Sequence, residues 1–167
     1  MPAPQQPQDP SGPPVPVVAR WRFAAGSLVA VVVTAAAAYV VCLLLESVFA
    51  VELAPPPDLL PERPDAQVFA VVGAAIGLGA VVMMALLAAS VSRPRLFFGW
   101  SMVVVVALLT VAPFTWADGV VTQAFTAALF LVATVVAWAC VSGVAIRTIH
   151  TPRPPAVRRA GAAPGPA

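Results

Sequence analysis

Four long stretches of the chain contain no charged residue, and each is long enough to cross a lipid bilayer. They are residues 23–45, 67–91, 96–116 and 120–146. At about 1.5 Å per helical residue, even the shortest stretch spans about 30 Å, the thickness of the hydrocarbon core. Since a separate segment satisfies its own backbone inside lipid only as a helix, the sequence predicts an all-α fold, a bundle of four transmembrane helices.

The composition argues against a soluble domain. Hydrophobic residues make up 60% of the 167 residues and charged residues 10%, whereas charged residues average about 25% in soluble domains. The formal net charge of +2 is small, so the distribution of charge along the chain matters more than its sum. The lipid bilayer is therefore the expected surrounding, and no nucleic-acid partner is expected.

Residues 46–65, between the first two stretches, form a polar connection that we call the acidic segment. It holds five of the seven acidic residues, five of the nineteen prolines and Arg63. Its backbone groups would find no partners in lipid, so it must lie in water between two crossings. Glu46, at the outer end of the first helix, is interpreted as a solvated rim residue, with ligand coordination as the alternative.

The arginines favour one side of the membrane. A four-pass chain brings the N-terminal flank, the second connection and the C-terminal tail to the same side, and these carry eight arginines, while the opposite side carries Arg63 alone. By the positive-inside rule, the sequence predicts a multi-pass protein of the plasma membrane with both termini in the cytoplasm. The eight are Arg20, Arg22, Arg93, Arg95, Arg147, Arg153, Arg158 and Arg159.

Proline-rich tails flank the predicted transmembrane domain, residues 20–147. Residues 1–19 contain seven prolines and no apolar periodicity, so we predict disorder with polyproline character. A ligand for a proline-binding domain, through Pro10 and Pro13, is the alternative. Residues 148–167, rich in arginine and proline, are also predicted to be disordered.

A secretory signal is a competing interpretation of the first stretch. Arg20 and Arg22 precede it, and Val48-Phe49-Ala50 resembles a cleavage site. The apolar region of a signal is only about 7–15 residues long, however, and residues 23–45 form a much longer run. We therefore predict an uncleaved first helix.

Small side chains recur every four residues along the first two helices. Gly73 and Gly77 form a GxxxG pair in helix two, a spacing that lets helices approach closely in lipid. We predict that this pair packs within the chain against helix one, and contact between two copies is the alternative. The matching stripe of helix one consists of Gly26, Ala30, Thr34, Ala38 and Cys42, and its first four members are predicted to serve helix packing.

No catalytic, cofactor-binding or metal-ligating residue is predicted. Asp, Glu, His, Lys and Arg are absent from the middle of all four stretches, although proton relays and ion sites normally need such residues. His150 stands alone among prolines and arginines, so it does not form a metal site by itself. Cys42 and Cys140 lie near opposite ends of the bundle, which predicts a separation too large for a disulfide.

The pattern resembles a family of uncharacterised four-pass actinobacterial membrane proteins, known only as a domain of unknown function. The resemblance covers about residues 23–147, and it implies a four-pass fold and no known activity. Members often have a histidine within helix four, where this chain has Phe130, and this departure argues against histidine chemistry here. The matching features are Val51-Glu52-Leu53 with Pro55 to Pro57, the glycines of helix two, the arginine-bearing hairpin, and Thr110 with Pro113.

These features together favour a non-enzymatic integral membrane protein with a structural, accessory or interaction role. Its expected partner is another membrane protein or further copies of the same chain. A small oligomeric transporter or channel component is the alternative, because the GxxxG pair could join several copies around a pathway. An enzyme embedded in the membrane is a third hypothesis. It would need a set of carboxylates or histidines that the four stretches do not contain.

Overall fold

The structure is a computed structural model, and it describes residues 17–18, 20–57, 59–60, 63–91 and 93–150. Helices make up nearly all of this part of the chain, which confirms the predicted all-α bundle. Four of them are long and apolar enough to cross a membrane. They are α1 (Arg20–Phe49), α2 (Asp65–Ser90), α3 (Pro94–Val111) and α4 (Val120–Thr148), and a 3₁₀-helix, Ala112–Thr115, extends α3.

The helices differ in length from the uncharged stretches that predicted them. α1 begins at Arg20 and continues to Phe49, so Glu46 lies in its last turn. α2 begins at Asp65, whose carboxylate suits the positive end of the helix dipole. Uncharged stretches reflect the thickness of the hydrocarbon, whereas a helix extends beyond it because its backbone hydrogen bonds are internal.

Backbone chemistry accounts for several helix boundaries. Beyond the end of α1, Ala50 has a φ of 51°, which takes the chain out of the helix. Pro94 begins α3, where its missing N–H costs no hydrogen bond. Pro113 lies in the 3₁₀ turn that closes α3. Gly119, with a φ of 88°, then makes the tight turn into α4.

α1 and α3 lie on opposite sides of the bundle, and α2 and α4 lie between them, in contact with both and with each other. The end that carries the acidic segment and the α3–α4 connection is called the acidic end. The other, called the arginine end, carries the start of α1, the α2–α3 connection and the end of α4. This arrangement makes α4 a neighbour of every other helix.

Two clusters of buried side chains fill the bundle, one toward each end. Toward the arginine end, Met84 of α2 packs with Phe98 and Met102 of α3. Toward the acidic end, Phe69 of α2 and Phe130 of α4 meet edge to face, with ring centroids 6.2 Å apart. Aromatic pairs prefer this geometry because the positive ring edge faces the negative ring face.

Two buried threonines satisfy their hydroxyls within their own helices. Thr34 of α1 donates to the carbonyl of Ala30 at 2.8 Å, and Thr134 of α4 donates to the carbonyl of Phe130 at 2.7 Å. A buried hydroxyl without a partner would cost about 1–3 kcal/mol. These bonds therefore allow small polar side chains to occupy tight helix contacts.

A short antiparallel pairing joins the chain before α1 to the chain after α4. β1 (Val17–Val18) pairs with β2 (Ile149–His150), with Val17 opposite His150. Both strands lie within residues 1–19 and 148–167, where the sequence predicted disorder. Thr148, the first residue of the second tail, belongs to α4. The rest of these tails lies outside the described residues, so its disorder stays a prediction.

Candidate functional site

Gly73 and Gly77 lie in the contact between α2 and α1, and both are buried. A Cβ atom at Gly73 would stand 2.8 Å from the Cβ of Ala38 and 2.9 Å from the carbonyl oxygen of Thr34. A Cβ atom at Gly77 would stand 3.1 Å from the Cα of Val31. Because these neighbours include backbone atoms, which do not move aside cheaply, the glycines permit the close approach of the two helices.

The small-residue stripe of α1 is divided between two neighbouring helices. Thr34 and Ala38 face the glycines of α2. Gly26 faces α4 instead, where a Cβ atom would stand 2.8 Å from Cγ1 of Val144. Ala30 is buried in the cluster toward the arginine end. The GxxxG pair thus packs against α1 of the same chain, so a contact between two copies would need another surface.

The acidic segment folds back onto the bundle through Leu53 and Ala54. Leu53 is only 5% exposed. The Ala54 N–H donates to Oγ1 of Thr126 at 3.2 Å, and the indole Nε1–H of Trp116 donates to the Ala54 carbonyl at 3.3 Å. We call these two bonds the Ala54 clamp. They hold both backbone groups of one loop residue with side chains of α4 and of the α3–α4 connection.

The carboxylates within the described residues lie at the acidic end. Oε1 of Glu46 accepts a hydrogen bond from the Cys42 thiol at 3.3 Å, and Glu46 is near enough to Asp65 for the two charges to interact. Glu52 and Asp118 are exposed. The described part of the chain contains no group of three or more His, Cys, Asp or Glu residues that could hold a metal ion. This end therefore presents negative charge to water.

A cavity of about 560 Å³, which we call the α2–α3 groove, lies between α2 and α3. Every residue that lines it is apolar. Its floor includes the buried Phe130 of α4, and Pro56 and Leu59 of the acidic segment lie at its end. The exposed residues Val71 and Gly79 form part of its wall, so the groove opens sideways toward lipid.

A second cavity of about 400 Å³, which we call the α1–α4 groove, lies toward the arginine end. Small residues from both helices line it, including Gly26 of α1 and Ala139 and Gly143 of α4. Arg147 lines it as well, and it is the last residue of the apolar part of α4. This groove is therefore apolar along its length and cationic at one end.

Arg95, in the first turn of α3, binds the end of α4. Its Nη2 donates to the carbonyl of Ala145 at 2.9 Å and to the carbonyl of Ile146 at 3.3 Å. The last carbonyls of a helix have no partner within the helix, and positive charge is favourable there. Arg95 thus joins the start of α3 to the end of α4.

The two cysteines are both free. Cys42 is buried in the cluster toward the acidic end, and Cys140 packs against the cluster toward the arginine end. Each packs against apolar side chains of its own cluster, and the Cys42 thiol also donates to Glu46.

Neither groove nor the Ala54 clamp was predicted from the sequence. A signal for the clamp existed, because Thr126 is a hydroxyl inside an apolar stretch and Trp116 is an indole at its boundary. Both side chains need a hydrogen-bond partner when they are buried. The grooves have no such signal, because they arise from the spacing between helices.

Comparison with protein families matches residues 17–147 to a family of unknown function. Comparison with curated proteins and with solved structures finds no match. The match reaches from before α1 to the last turn of α4, and it confirms the predicted resemblance to a family of unknown function. A role for this chain must therefore be argued from its own geometry.

Proposed function

The chain belongs to DUF6069, a family of unknown function, and from its geometry we propose a non-enzymatic interaction role in the membrane. The α2–α3 groove receives a transmembrane helix of another membrane protein, and the acidic segment contacts basic residues that flank this helix. The plasma membrane is the proposed location, and the arginine distribution supports an orientation with the acidic end outside and both termini in the cytoplasm.

The α2–α3 groove is the observation that carries this proposal. α2 and α3 are consecutive and joined by a very short connection, which favours close packing along their whole length. They instead leave a space of about 560 Å³ between them. Ala75 and Gly79 form exposed wall positions four residues apart, and small residues at this spacing let a second helix approach closely.

The charge at the end of the groove supports a protein partner. Glu52 is exposed, and Leu59, which lines the groove, is 40% exposed on the same segment. The acidic segment holds five acidic residues against one arginine. A partner helix followed by arginine or lysine on this side would therefore meet complementary charge, which favours correct docking and faster association.

The Ala54 clamp supports the same role by holding the groove's rim in place. Ala54 lies two residues before Pro56, which lines the groove, and both of its backbone groups are bonded to the bundle. A rim fixed before binding loses less conformational freedom when a partner docks. The groove is thus organised before it is filled.

Photocrosslinking in the native membrane tests the proposal. p-Benzoylphenylalanine is placed at Gly79, in the α2–α3 groove, or at Gly99 of α3 as a matched control. A Cβ atom at either position would meet no heavy atom within 4 Å, so both tolerate a side chain. We expect a discrete protein adduct from Gly79 and little from Gly99, with a lower yield after Glu52→Lys.

The identity of the adduct decides the outcome. A membrane protein with basic residues next to the crosslinked helix, together with the sensitivity to Glu52→Lys, supports the proposal. Equal adducts from Gly79 and Gly99 contradict it, because lateral collisions would explain them. Adducts with lipid only, or with a second copy of this chain, also contradict it.

A further inference from the structure

We propose that the α1–α4 groove binds one anionic phospholipid, with its phosphate on Arg147 and part of an acyl chain along the small residues of the two helices. This site lies on a different face from the α2–α3 groove, between a different pair of helices. The inference is therefore independent of the proposed interaction with a partner protein.

The space for the acyl chain comes from glycine on both helices. At Gly26 a Cβ atom would stand 2.8 Å from Cγ1 of Val144, so the missing side chain lets Val144 sit close against α1. At Gly143 a Cβ atom would meet no heavy atom within 4 Å. Gly26 thus lets α1 and α4 approach closely, and Gly143 leaves open space beside this contact.

The position of Arg147 gives the site a cationic end at the height of a lipid headgroup. Arg147 closes the apolar span Val120–Arg147, so it lies where hydrocarbon gives way to water. A planar guanidinium binds phosphate through two parallel hydrogen bonds. Basic pockets between transmembrane helices bind anionic lipid headgroups in this way.

The surrounding charges favour an anion here. Arg95 donates hydrogen bonds to the carbonyls of Ala145 and Ile146. Its positive charge reduces the negative potential at the end of α4. The carboxylates of the described residues all lie at the acidic end, at Glu46, Glu52, Asp65 and Asp118. No described carboxylate therefore competes for Arg147 or repels a phosphate at the arginine end.

The size of the groove selects a lipid rather than a helix as its occupant. From Ala139 to Arg147 the lining of α4 extends for about two helical turns, or about 12 Å. The α2–α3 groove is lined on α2 from Val71 to Met83, which is about half as long again, and its lining includes no cation. The shorter α1–α4 groove, which ends at Arg147, therefore suits a lipid better than a partner helix. A flexible acyl chain needs only part of its length to be held.

Native mass spectrometry of the purified full-length protein tests this site. The protein is supplied with equal amounts of phosphatidylglycerol and phosphatidylcholine that carry the same acyl chains. We expect one retained phosphatidylglycerol, preferred over phosphatidylcholine by about fivefold or more, because one cation near the membrane surface contributes about that factor. Equal retention of the two lipids would overturn the proposal.

Two pairs of variants locate the binding. Gly143→Leu fills the α1–α4 groove and should abolish retention, while Gly79→Leu fills the α2–α3 groove and should leave it unchanged. Arg147→Gln should remove the preference for phosphatidylglycerol, while Arg93→Gln, in the α2–α3 connection, should preserve it. Thermal unfolding confirms that each variant is folded.

Two results from these variants would contradict the proposed lipid site. Retention that survives Gly143→Leu would show that the acyl chain lies elsewhere. An equal loss of preference in Arg147→Gln and Arg93→Gln would show a general effect of surface charge. If Gly143→Leu does not fold, the comparison of the two arginine variants decides by itself.

Discussion

At the scale of single residues, close contacts between the helices occur at glycines, which have no side chain. Gly73 and Gly77 bring α2 within contact of the α1 backbone, and Gly26 makes room for Val144 of α4. Lipid tails are as apolar as leucine, so burying apolar surface does not by itself drive helices together in a membrane. Close packing and hydrogen bonds hold them instead.

Gly77→Ile should lower the free energy of unfolding by about 1–3 kcal/mol, because its added atoms meet the backbone of Val31 and the side chain of Thr34. Thermal unfolding in mild detergent measures the effect. Gly79→Ile is the matched control, since a Cβ atom there meets no heavy atom within 4 Å. Equal destabilisation by the two substitutions would show that the GxxxG spacing marks no special contact.

Thr126→Val should release the Ala54 N–H from its acceptor. A backbone group left without a partner costs about 1–3 kcal/mol when it stays buried, so local opening of the segment becomes easier. Hydrogen exchange of the Ala54 amide should accelerate by about tenfold or more. Thr122→Val, one turn earlier on α4, is the control, and an unchanged exchange rate in Thr126→Val would argue against the clamp.

At the scale of elements, α4 organises the bundle because it contacts every other helix. Its first half supplies Thr126 to the Ala54 clamp and Phe130 to the floor of the α2–α3 groove. Its second half lines the α1–α4 groove and receives Arg95 at its end. One helix therefore contributes to both grooves and to both ends of the fold.

Arg95→Gln should destabilise the protein by about 1–3 kcal/mol, because hydrogen bonds from a charged group to the last carbonyls of α4 are lost. Arg93→Gln removes the same charge from an exposed position in the neighbouring α2–α3 connection, so it controls for overall electrostatics. Thermal unfolding compares the two variants. A smaller effect from Arg95→Gln than from Arg93→Gln would contradict the assigned role.

At the scale of the whole molecule, charge is separated along the bundle axis. The described carboxylates lie at the acidic end, whereas Arg93, Arg95 and Arg147 lie at the arginine end. Arg63, which donates to Gln67 at 3.3 Å, is the cation of the acidic segment. Because arginine is retained on the cytoplasmic side during insertion, this separation favours one orientation in the membrane.

Reporter fusions after Arg20, within residues 93–95 and after Arg159 should therefore report the cytoplasm, and a fusion near Leu60 should report the exterior. The physical reason is the ratio of eight arginines on one side to one on the other. Enzymatic reporters that are active on one side only give the readout. An exterior signal from the fusion after Arg159 would contradict the predicted orientation.

The sequence by itself determined the number of helices, their order and the charge at each end. These properties follow from local quantities, because apolar length sets a crossing and polar, proline-rich residues must stay in water. The small residues of α1 and α2 could also be recognised, since close contacts in lipid need them. Only the tertiary structure decided that Gly26 faces α4 while Thr34 and Ala38 face α2.

The two grooves and the Ala54 clamp likewise depended on the tertiary structure. A groove is the space left between packed helices, and its size depends on their interhelical distances and crossing angles. These in turn depend on contacts between residues far apart in the chain. Ala54 has no distinguishing side chain, so nothing local predicts that Thr126 and Trp116 bind its backbone. The physical reason is that many helix pairings satisfy the same apolar stretches, and only the assembled bundle selects one of them.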